Sequence, residues 1–345
     1  MDKYRVGIIG CGGIANAHAA GYKALEDKVE IVAIADPVAE ALNQFGDKWG
    51  VAQRHTDARE MLDKEDKNID AVMVATADHC HAVASMAAIK RGKHVYCEKP
   101  MATNMMECDD MMIAAQRSNV KLAVAHQRRF NAAWNEGKRL IAQGAIGDVR
   151  LVFCYGTNQG ILNDATHHLD FMRYLLGDPK TLWVMGNIQR KTDRYERDIR
   201  VEECAEAAMY FENGTIGLLM QELLWPYGLR GMGGVFLGSD GILELDETKV
   251  RLLSSKAGKW ETREVKGEDP HVAQARELID WIEGRVEHRG KAENGRAAVE
   301  ICMAIYESAR MHECVKLQPI GSPLDPGSKE ILGTWPRLVQ TRVSP

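Results

Sequence analysis

One short segment near the N-terminus restricts the possible folds of this chain more than any other. The segment Gly10-Cys11-Gly12-Gly13-Ile14-Ala15 matches G-x-G-x-x-G/A, follows the strand-like run YRVGIIG directly and precedes a helical pattern. In this context Gly10 permits a tight turn, Gly12 lets the backbone approach a pyrophosphate, and Ala15 lets helix and strand pack closely. Free N–H groups at the helix N-terminus favour phosphate binding. We therefore predict a βαβ unit that holds a dinucleotide through Gly10, Gly12, Gly13 and Ile14.

An acidic residue follows the second strand-like run. Asp36 ends VEIVAIAD, about 20 residues after the glycine segment, which is the spacing expected of a ribose-binding carboxylate. Such a carboxylate accepts hydrogen bonds from the ribose hydroxyls and repels a 2′-phosphate. The next residues, Pro37, Val38 and Ala39, include no base. The sequence therefore predicts NAD rather than NADP. The alternative, a purely structural glycine turn, is opposed by the motif, its strand–helix context and Asp36 together.

The sequence pattern changes after about residue 125. The 345 residues exceed what one hydrophobic core usually serves. The first third alternates short β-branched runs with amphipathic helical patterns, which is typical of a parallel sheet covered on both faces. The remainder has strand patterns joined by turns, among them Asn213-Gly214 and a second hairpin near 256–259. Helices are expected at His271–Glu283 and Ala292–His312.

These patterns predict an α/β fold with two domains and a tail. Residues 1–125 form a Rossmann domain with a doubly wound parallel sheet. Residues 126–320 form an α+β domain with a large, mostly antiparallel open sheet. Residues 321–345, which are rich in Pro, Gly and Ser, form a C-terminal arm.

Composition argues against several classes of protein. The net charge is −5 with both signs interspersed, so no basic face for nucleic acid is expected. No apolar run reaches membrane-spanning length, and the first residues lack the pattern of a signal peptide. The eight cysteines include no C-x-x-C pair, and several stand in apolar runs, where a thiol packs as a small hydrophobe. We expect a reduced, cytoplasmic protein.

Four more stretches follow the glycine segment in a recognisable order. They are Ala75-Thr76-Ala77-Asp78-His79-Cys80-His81, Gly92-Lys93-His94-Val95-Tyr96-Cys97-Glu98-Lys99-Pro100, Gln127-Arg128-Arg129-Phe130 and Ala165-Thr166-His167-His168-Leu169-Asp170. With them, residues 4–318 resemble the Gfo/Idh/MocA family, which is named after glucose–fructose oxidoreductase and inositol dehydrogenase. The closing Glu307-Ser308-Ala309-Arg310 is similar to the family's last helix.

The resemblance implies a Rossmann domain joined to an open-sheet domain that binds a sugar or cyclitol. It also implies homodimers or homotetramers assembled through those sheets, and catalysis by Lys99 and His167. The residues that the resemblance assigns to the cofactor are Ala75, Thr76, His81, Glu98, Lys99 and Arg129. His271 stands where relatives often carry tyrosine, and it joins Lys99 and His167 as a substrate residue.

The position of Lys99 supports this role on physical grounds. Lys99 follows the run KHVYCE at the carboxyl edge of the predicted parallel sheet, where doubly wound folds bind ligands. An ammonium there can hold a substrate oxygen and stabilise alkoxide character as hydride leaves the carbon. Pro100 disfavours helix at Lys99, so the side chain is presented at a turn. Without the other motifs, a solvated lysine at a strand end would be the simpler interpretation.

Two adjacent histidines compete for the role of acid/base. His167 and His168 lie on a helix predicted to begin near Asn163 or Asp164, and they point about 100° apart. His167 shares the more polar face, whereas His168 shares an apolar stripe. We assign the role to His167, because a neutral imidazole can accept the hydroxyl proton during oxidation. Many relatives have an acid where this chain has Asn163, so either Asp164 replaces it or Lys99 and His167 act alone.

These features predict an NAD-dependent dehydrogenase acting on a secondary alcohol of a sugar, glycoside or cyclitol. A first alternative keeps its NAD: transient ring oxidation would permit elimination or epimerisation before reduction. A second alternative is a non-catalytic NAD and sugar sensor, which the presence of both Lys99 and His167 opposes. His79-Cys80-His81 suggests zinc, but it falls in the predicted cofactor loop, so no metal is expected.

Overall fold

The computed structural model describes residues 3–156, 160–196, 199–222 and 233–317. Nine α-helices lie within these ranges. They are α1 (Gly13–Lys23), α2 (Ala39–Trp49), α3 (Ala58–Lys64), α4 (His81–Ile89), α5 (Met105–Arg117), α6 (Ala132–Ala142), α7 (Thr166–Leu175), α8 (Pro270–Ile282) and α9 (Ala292–Met311).

Seventeen strands lie in the same ranges. The strands of the first half are β1 (Tyr4–Ile9), β2 (Val29–Ala35), β3 (Gln53–His55), β4 (Ala71–Val74), β5 (His94–Cys97), β6 (Leu122–Val124), β7 (Val149–Gly156) and β8 (Thr181–Gln189). The others are β9 (Tyr195–Glu196), β10 (Ile199–Arg200), β11 (Cys204–Phe211), β12 (Ile216–Glu222), β13 (Gly233–Gly238), β14 (Gly241–Leu245), β15 (Lys249–Ser254), β16 (Trp260–Glu264) and β17 (Val315–Lys316).

The first compact unit comprises the described residues up to Phe130 together with Glu268–Arg296. Its six strands form one parallel sheet in the order β3-β2-β1-β4-β5-β6. β4 is buried along its whole length, as expected for a parallel strand that is covered on both faces. The predicted Rossmann domain with a doubly wound parallel sheet is confirmed.

Helix α8 belongs to this first unit although it comes late in the sequence. Its residues Ala275 and Leu278 pack in one core with Ala15 and Ala19 of α1. Along the sequence α8 falls within the range predicted for the second domain, residues 126–320, and that range stays a prediction. The apolar stripe of a helix predicts which face is buried but does not identify the helix that covers it.

The second unit comprises residues 131–267 and the described residues from Ala297 onward. Its nine-stranded sheet has the order β16-β15-β14-β13-β7-β12-β11-β8-β17. Within the described strands of this sheet, β7 and β12 pair in parallel and the other neighbours pair antiparallel. The predicted large, mostly antiparallel sheet is confirmed. Both predicted hairpins occur, one joining β11 to β12 and the other β15 to β16.

Helices cover one face of this nine-stranded sheet. The ring of Phe171 on α7 has its centroid 5.9 Å from that of Phe236 on β13 and 3.8 Å from that of Trp134 on α6. Alternate residues of the strands point to the opposite side, which we call the open face. Direct cross-strand pairing aligns eight apolar side chains there in one row: Trp260, Leu253, Ile242, Leu237, Leu151, Ile216, Tyr210 and Trp183. Trp260, Leu237 and Ile216 are exposed and the other five are half-buried. A partly exposed apolar row of this kind is unusual on a monomer.

The helix that carries the two histidines begins later than predicted. Residues Gly160–Ala165 form a π-helical turn, and α7 begins at Thr166. Over so few residues the apolar period does not distinguish an i→i+5 turn from an α-helical one. Asn163 and Asp164 therefore lie in the π-helical turn rather than at the start of an α-helix.

Three further predictions concern the C-terminal arm, membrane-spanning helices and the cysteines. The predicted arm at 321–345 lies outside the described residues. In the part of the chain that the structure describes, every helix is too short or too polar to cross a membrane. All eight cysteines are free thiols, and six of them are buried.

Candidate active site

The glycine turn lies between the end of β1 and the start of α1. Gly10 has a φ of +95°, and a Cβ there would lie 2.4 Å from the carbonyl oxygen of Ala75, so glycine is required. At Gly12 and Gly13, a Cβ would meet no atom within 4 Å among the described residues. No described side chain caps the N-terminus of α1, and Ile14 is half-buried beside it. The turn can therefore accept a pyrophosphate against free backbone N–H groups.

Two backbone hydrogen bonds fix Asp36 against this turn. Oδ2 of Asp36 accepts from the N–H of Cys11, and Oδ1 accepts from the N–H of Val38, each at 2.8 Å. Burial, with a smaller effect of Asp36, raises the pKa of the Cys11 thiol to about 12, so the thiol stays neutral. Each carboxylate oxygen has a second lone pair, which leaves Asp36 able to accept from ribose hydroxyls.

The other predicted residues of the first unit follow neighbouring strands of the parallel sheet. Ala75 and Thr76 come after β4, and Glu98 and Lys99 come after β5. The carboxyl ends of parallel strands share one edge, and Asp36 follows β2 at that edge. The strand order reverses between β1 and β4, which is where doubly wound sheets bind ligands. The fold thus brings these five residues to one edge of the sheet.

Protein donors hold both oxygens of Glu98. Oε1 lies 2.6 Å from Nε2 of His18 on α1, and Oε2 accepts the N–H of Lys99 at 3.1 Å. Burial by itself would raise the pKa of Glu98, but the hydrogen bond and charge of His18, together with Lys99 and His81, lower it to about 2. Glu98 is therefore an ionised, buried carboxylate that anchors the lysine-bearing segment. Its contact with the cofactor stays a prediction.

Polar side chains behind Glu98 extend this network towards α8. Gln274 donates its side-chain N–H to Nδ1 of His18 at 3.5 Å and accepts from the hydroxyl of Tyr96. Nε2 of His288 lies 3.3 Å from the backbone oxygen of Gln274. Sequence reasoning missed all four residues. The signal for His18 was its helical spacing, because it shares the buried face of Ala15, Ala19 and Tyr22 and a buried histidine needs a polar partner.

His81 and Lys99 lie on the two loops that follow β4 and β5. His81 is the first residue of α4 and is 0% exposed. Its Nδ1 lies 2.7 Å from the oxygen of Pro100, and its Nε2 lies 3.1 Å from the oxygen of Thr76. Both ring nitrogens thus face protein carbonyl groups, and the predicted contact of His81 with the cofactor stays a prediction. Lys99 is 7% exposed and precedes Pro100 through a cis peptide bond.

Arg129 and His271 also make contacts within the first unit. Arg129 is 1% exposed and donates to the backbone oxygen of Arg289 at 3.1 Å, while Arg289 donates to the oxygen of Arg129 at 3.1 Å. His271 lies at the start of α8, and its ring meets that of His18 edge to face, with centroids 5.1 Å apart. Burial, followed by the charge of His18, lowers the pKa of His271. These contacts are structural, and the cofactor role of Arg129 and the substrate role of His271 stay predictions.

In the second unit, the two histidines of α7 differ in their surroundings. His168 is 0% exposed, and its Nε2 donates to the backbone oxygen of Tyr155 at 2.9 Å. A Cβ at Gly156 would lie 2.6 Å from the ring of His168, which indicates tight packing against β7. His167 is also buried but keeps 6% of its surface exposed. The roles assigned to the two histidines stay predictions.

The π-helical turn before α7 is fixed by residues distant in sequence. Oδ2 of Asp164 accepts from the side-chain nitrogen of Gln221 at 3.2 Å. The buried carboxylate of Glu202 accepts from the N–H of Ile161 and from the hydroxyl of Tyr306, the latter at 3.0 and 3.2 Å. Sequence reasoning missed Gln221, Glu202 and Tyr306, because they come from β12, the segment before β11 and α9. Asn163 and Asp164 are both half-buried.

Among the residues that the structure describes, no group of three or more His, Cys, Asp or Glu side chains has the arrangement of a metal site. The two histidines of the His79-Cys80-His81 segment lie in different environments. His79 is exposed, whereas His81 turns inward to two carbonyl groups. These two histidines therefore do not converge on one ligand position.

Two family models together match most of the chain. Residues 4–126 match a family described as "Oxidoreductase family, NAD-binding Rossmann fold", and residues 138–317 match its "C-terminal alpha/beta domain". The Myo-inositol 2-dehydrogenase of Thermotoga maritima is 26% identical over 338 residues, which cover 92% of this chain and 99% of that protein.

Two solved structures share the fold across nearly all of both chains. The WlbA dehydrogenase from Bordetella pertussis, in complex with NADH and UDP-GlcNAcA, is 25% identical with a TM-score of 0.78, covering 92% of this chain and 100% of that chain. A levoglucosan dehydrogenase in complex with NADH is 21% identical with a TM-score of 0.80, covering 92% and 100%. The latter likeness concerns the fold.

Proposed function

We propose that this chain, which belongs to the Gfo/Idh/MocA oxidoreductase family, transfers hydride between NAD and a secondary alcohol of a sugar, glycoside or cyclitol. The chain is an NAD-binding oxidoreductase. The substrate class is the proposed part, and the inositol and levoglucosan dehydrogenases among its relatives support it.

One observation contributes most to the proposal. Lys99 lies at the carboxyl edge of the parallel sheet, and its N–H is held by a carboxylate whose pKa is lowered to about 2. The open glycine turn and Asp36 lie at the same edge. Lys99 directly follows Glu98, whose carboxylate is fixed by hydrogen bonds. Its ammonium can therefore be directed towards a substrate oxygen.

The reaction divides into a proton transfer and a hydride transfer. During oxidation the substrate hydroxyl gives its proton to the imidazole of His167, and the ammonium of Lys99 stabilises the alkoxide character of the oxygen. NAD, held at the glycine turn and Asp36, would supply the hydride acceptor for the same carbon, and the product would be a ketone. Asp164, or Asn163 beside it, would orient the imidazole that exchanges the proton. The hydrogen bond from Gln221 fixes Asp164 for such a role. Reduction follows the same path in reverse.

A substrate panel tests this function. The purified protein is incubated with NAD and a series of cyclitols, aldoses, anhydrosugars and nucleotide sugars, and NADH formation is followed by absorbance. We expect net NADH with at least one member of the panel, and none with the Lys99→Ala variant. Converted substrate without net NADH would favour the redox-neutral alternative. Sugar binding that changes the NADH spectrum without any product would favour a sensor.

We further propose that the chain forms homodimers or homotetramers through the open face. The side chains of Leu237, Ile216 and Met185 are 37%, 39% and 57% exposed there. Trp183 and Tyr210 stack in the same row with ring centroids 5.9 Å apart. Burying a continuous apolar row between subunits would be favourable by the hydrophobic effect. We also propose a cytoplasmic location, which the eight free thiols support.

A further inference from the structure

The π-helical turn Gly160–Ala165 lies directly before the helix that carries His167. Turns of this type are rare, and they occur frequently at functional sites. Asn163 and Asp164 are half-buried members of the turn, and Ile161 near its start is 0% exposed. The conformation of the turn therefore decides where these two polar side chains lie relative to α7.

A carboxylate from outside the turn holds the backbone N–H of Ile161. The side chain of Glu202 is 1% exposed, and its Oε1 accepts from that N–H and from the hydroxyl of Tyr306, the latter at 3.0 Å. Its Oε2 lies 3.2 Å from the same hydroxyl and 3.5 Å from Nη2 of Arg190. Burial, followed by the charge of Glu202, raises the pKa of Tyr306 well above its usual value, so the hydroxyl keeps its proton and can donate it. Both oxygens of this buried carboxylate thus face donors.

Two further contacts fix the start of the turn. The thiol of Cys302, which lies on α9 four residues before Tyr306, donates to the carbonyl oxygen of Ile161 at 3.8 Å. Gly160 has a φ of +68°, and a Cβ there would lie 2.8 Å from Cγ1 of Val201. Glycine is therefore required where the turn packs against the segment that carries Glu202. Both backbone groups of Ile161 are thus held by side chains from outside the turn.

We infer that Glu202 and Tyr306 are positioning residues for the proposed reaction, which hold the π-helical turn so that Asn163 or Asp164 is presented to the imidazole of His167. They act through the backbone of the turn. This inference rests on the proposed function for the roles of His167 and Asp164, whereas the contacts of Glu202 with the turn are independent of it.

The hydrogen-bond pattern of the turn explains why it needs such support. A π-helical turn has i→i+5 hydrogen bonds, and an α-helical one has i→i+4 bonds. A change to the α-helical pattern would shift the residues before α7 by one position, or about 100° around the helix axis. Such a shift would move Asn163 and Asp164 away from a ring that either of them orients. The anchored backbone of Ile161 opposes this change.

Hydrogen exchange of the intact protein, followed by mass spectrometry, tests the contact without a substrate. In Glu202→Ala the N–H of Ile161 loses its acceptor, so we expect the amides of residues 160–168 to exchange at least tenfold faster than in the wild type. Tyr306→Phe removes one hydroxyl and should accelerate the same amides by a smaller factor. Wild-type exchange of the turn in Glu202→Ala would overturn the inference. If Glu202→Ala does not fold, unchanged exchange in Tyr306→Phe would overturn it in the same way.

Ser308→Ala is the matched control on the same helix as Tyr306. Ser308 is 1% exposed, and its hydroxyl bonds the backbone of Glu313 and Gly186 rather than the turn. This change should lower the melting temperature, because it removes buried hydrogen bonds, but leave the exchange of residues 160–168 as in the wild type. Equal acceleration in Ser308→Ala and Tyr306→Phe would contradict a specific contact.

Turnover on the substrate that the panel identifies tests the positioning role. We expect Glu202→Ala to lower kcat roughly ten- to hundredfold, the effect of misplacing a catalytic group by about 1 Å, while NADH affinity stays within about twofold. Glu202→Gln keeps an oxygen that can accept from Ile161, so it should retain more turnover than Glu202→Ala. All variants are assayed well below their melting temperatures, so that loss of stability does not affect kcat. Wild-type kcat in Glu202→Ala would contradict the positioning role.

A double variant shows whether Tyr306 acts through His167. In the wild-type background Tyr306→Phe should lower kcat several-fold. In the His167→Ala background it should have little further effect, because the effects of residues that act through one group are not additive. Additive losses would contradict the inference. If His167→Ala kept full turnover, the proposed function would fail, while the exchange measurements would still decide whether Glu202 holds the turn.

Discussion

His18 on α1 and Glu98 after β5 lie 2.6 Å apart, Nε2 to Oε1, although 80 residues separate them in the sequence. The contact joins the helix that begins at the glycine turn to the segment that carries Lys99. Both side chains are almost fully buried, at 2% and 5% exposure. The helix predicted to face the cofactor phosphates and the segment that carries Lys99 are therefore joined by a buried contact.

The first prediction concerns acid stability and Glu98. Because folding lowers the pKa of Glu98 from 4.5 to about 2, the carboxylate contributes stability that is present above about pH 4.5 and is lost as the pH falls towards 2. At 1.36 kcal/mol per unit, the contribution is about 3 kcal/mol. We expect Glu98→Gln to lack this loss between pH 4.5 and 2 in urea unfolding. The exposed Glu30→Gln is the control and should keep the wild-type profile.

The second prediction concerns His288 and a higher pH range. Burial lowers the pKa of His288 to about 4, from 6.5. Above pH 6.5 the ring is neutral in both states, but between 6.5 and 4 the unfolded chain binds a proton that the native chain does not. The free energy of unfolding should therefore fall by about 3 kcal/mol as the pH drops through that range. His288→Gln should flatten this part of the curve, whereas the exposed His79→Gln should not. Parallel curves for wild type and His288→Gln would contradict the prediction.

The third prediction concerns the choice of cofactor. We expect NAD(H) to bind at least tenfold more tightly than NADP(H), equivalent to about 1.4 kcal/mol, because Asp36 repels a 2′-phosphate. Asp36→Asn is the sharper variant, since it removes the negative charge while its single amide oxygen can still accept from either Cys11 or Val38, though not from both. It should narrow the preference with a smaller loss of NADH affinity than Asp36→Ala. Asp36→Ala should weaken both cofactors, because it also removes the contacts with the glycine turn. Equal dissociation constants for the wild type by calorimetry would refute the assignment.

The fourth prediction concerns catalysis and is measured on the substrate that the panel identifies. Lys99→Ala should nearly abolish turnover while NAD affinity changes only a few-fold. His167→Ala should lower turnover by roughly 10²–10⁴-fold, the usual effect of losing a general acid/base. His168→Ala is the matched control on the next residue. It should mainly lower the melting temperature, because His168 is fully buried and bonded to the backbone of Tyr155.

The results for the two histidine variants also decide which histidine is the acid/base. Loss of activity in His168→Ala at unchanged stability, with His167→Ala still active, would reverse the assignment. Asn163→Asp should retain or raise activity if Asp164 already supplies the acid that many relatives have one residue earlier. If neither histidine affects turnover, Lys99 becomes the candidate for both roles.

The fifth prediction concerns assembly through the open face. Leu237→Arg and Ile216→Arg place a charge in the middle of the apolar row, where a subunit interface could not pair it. We expect either change to shift the protein from dimer or tetramer to monomer in light scattering. Val83→Arg, at an exposed apolar residue of α4, should leave the oligomer intact. A wild-type protein that is already monomeric at micromolar concentration would exclude the proposal.

The sequence by itself determined which residues lie at the carboxyl edge of the first sheet. The glycine segment, Asp36 and Lys99 each stand directly after a strand-like run, and parallel strands bring their carboxyl ends to one edge. This rule requires only the order of the elements along the chain, and the amino-acid sequence supplies that order. The change of pattern after residue 125 likewise predicted the second sheet, since alternation and turn residues are local signals.

Tertiary structure alone decided which groups meet. Tyr96 and Gln274 share a hydrogen bond across 178 residues, and His18 and Glu98 share one across 80. Helical spacing could place His18 on a buried face, but no local pattern identifies Glu98 as its partner. For the same reason the packing of α8 with α1 was not predicted and Glu202 was missed. Local sequence encodes which face of an element is buried, whereas the partner is set by the packing of the whole chain.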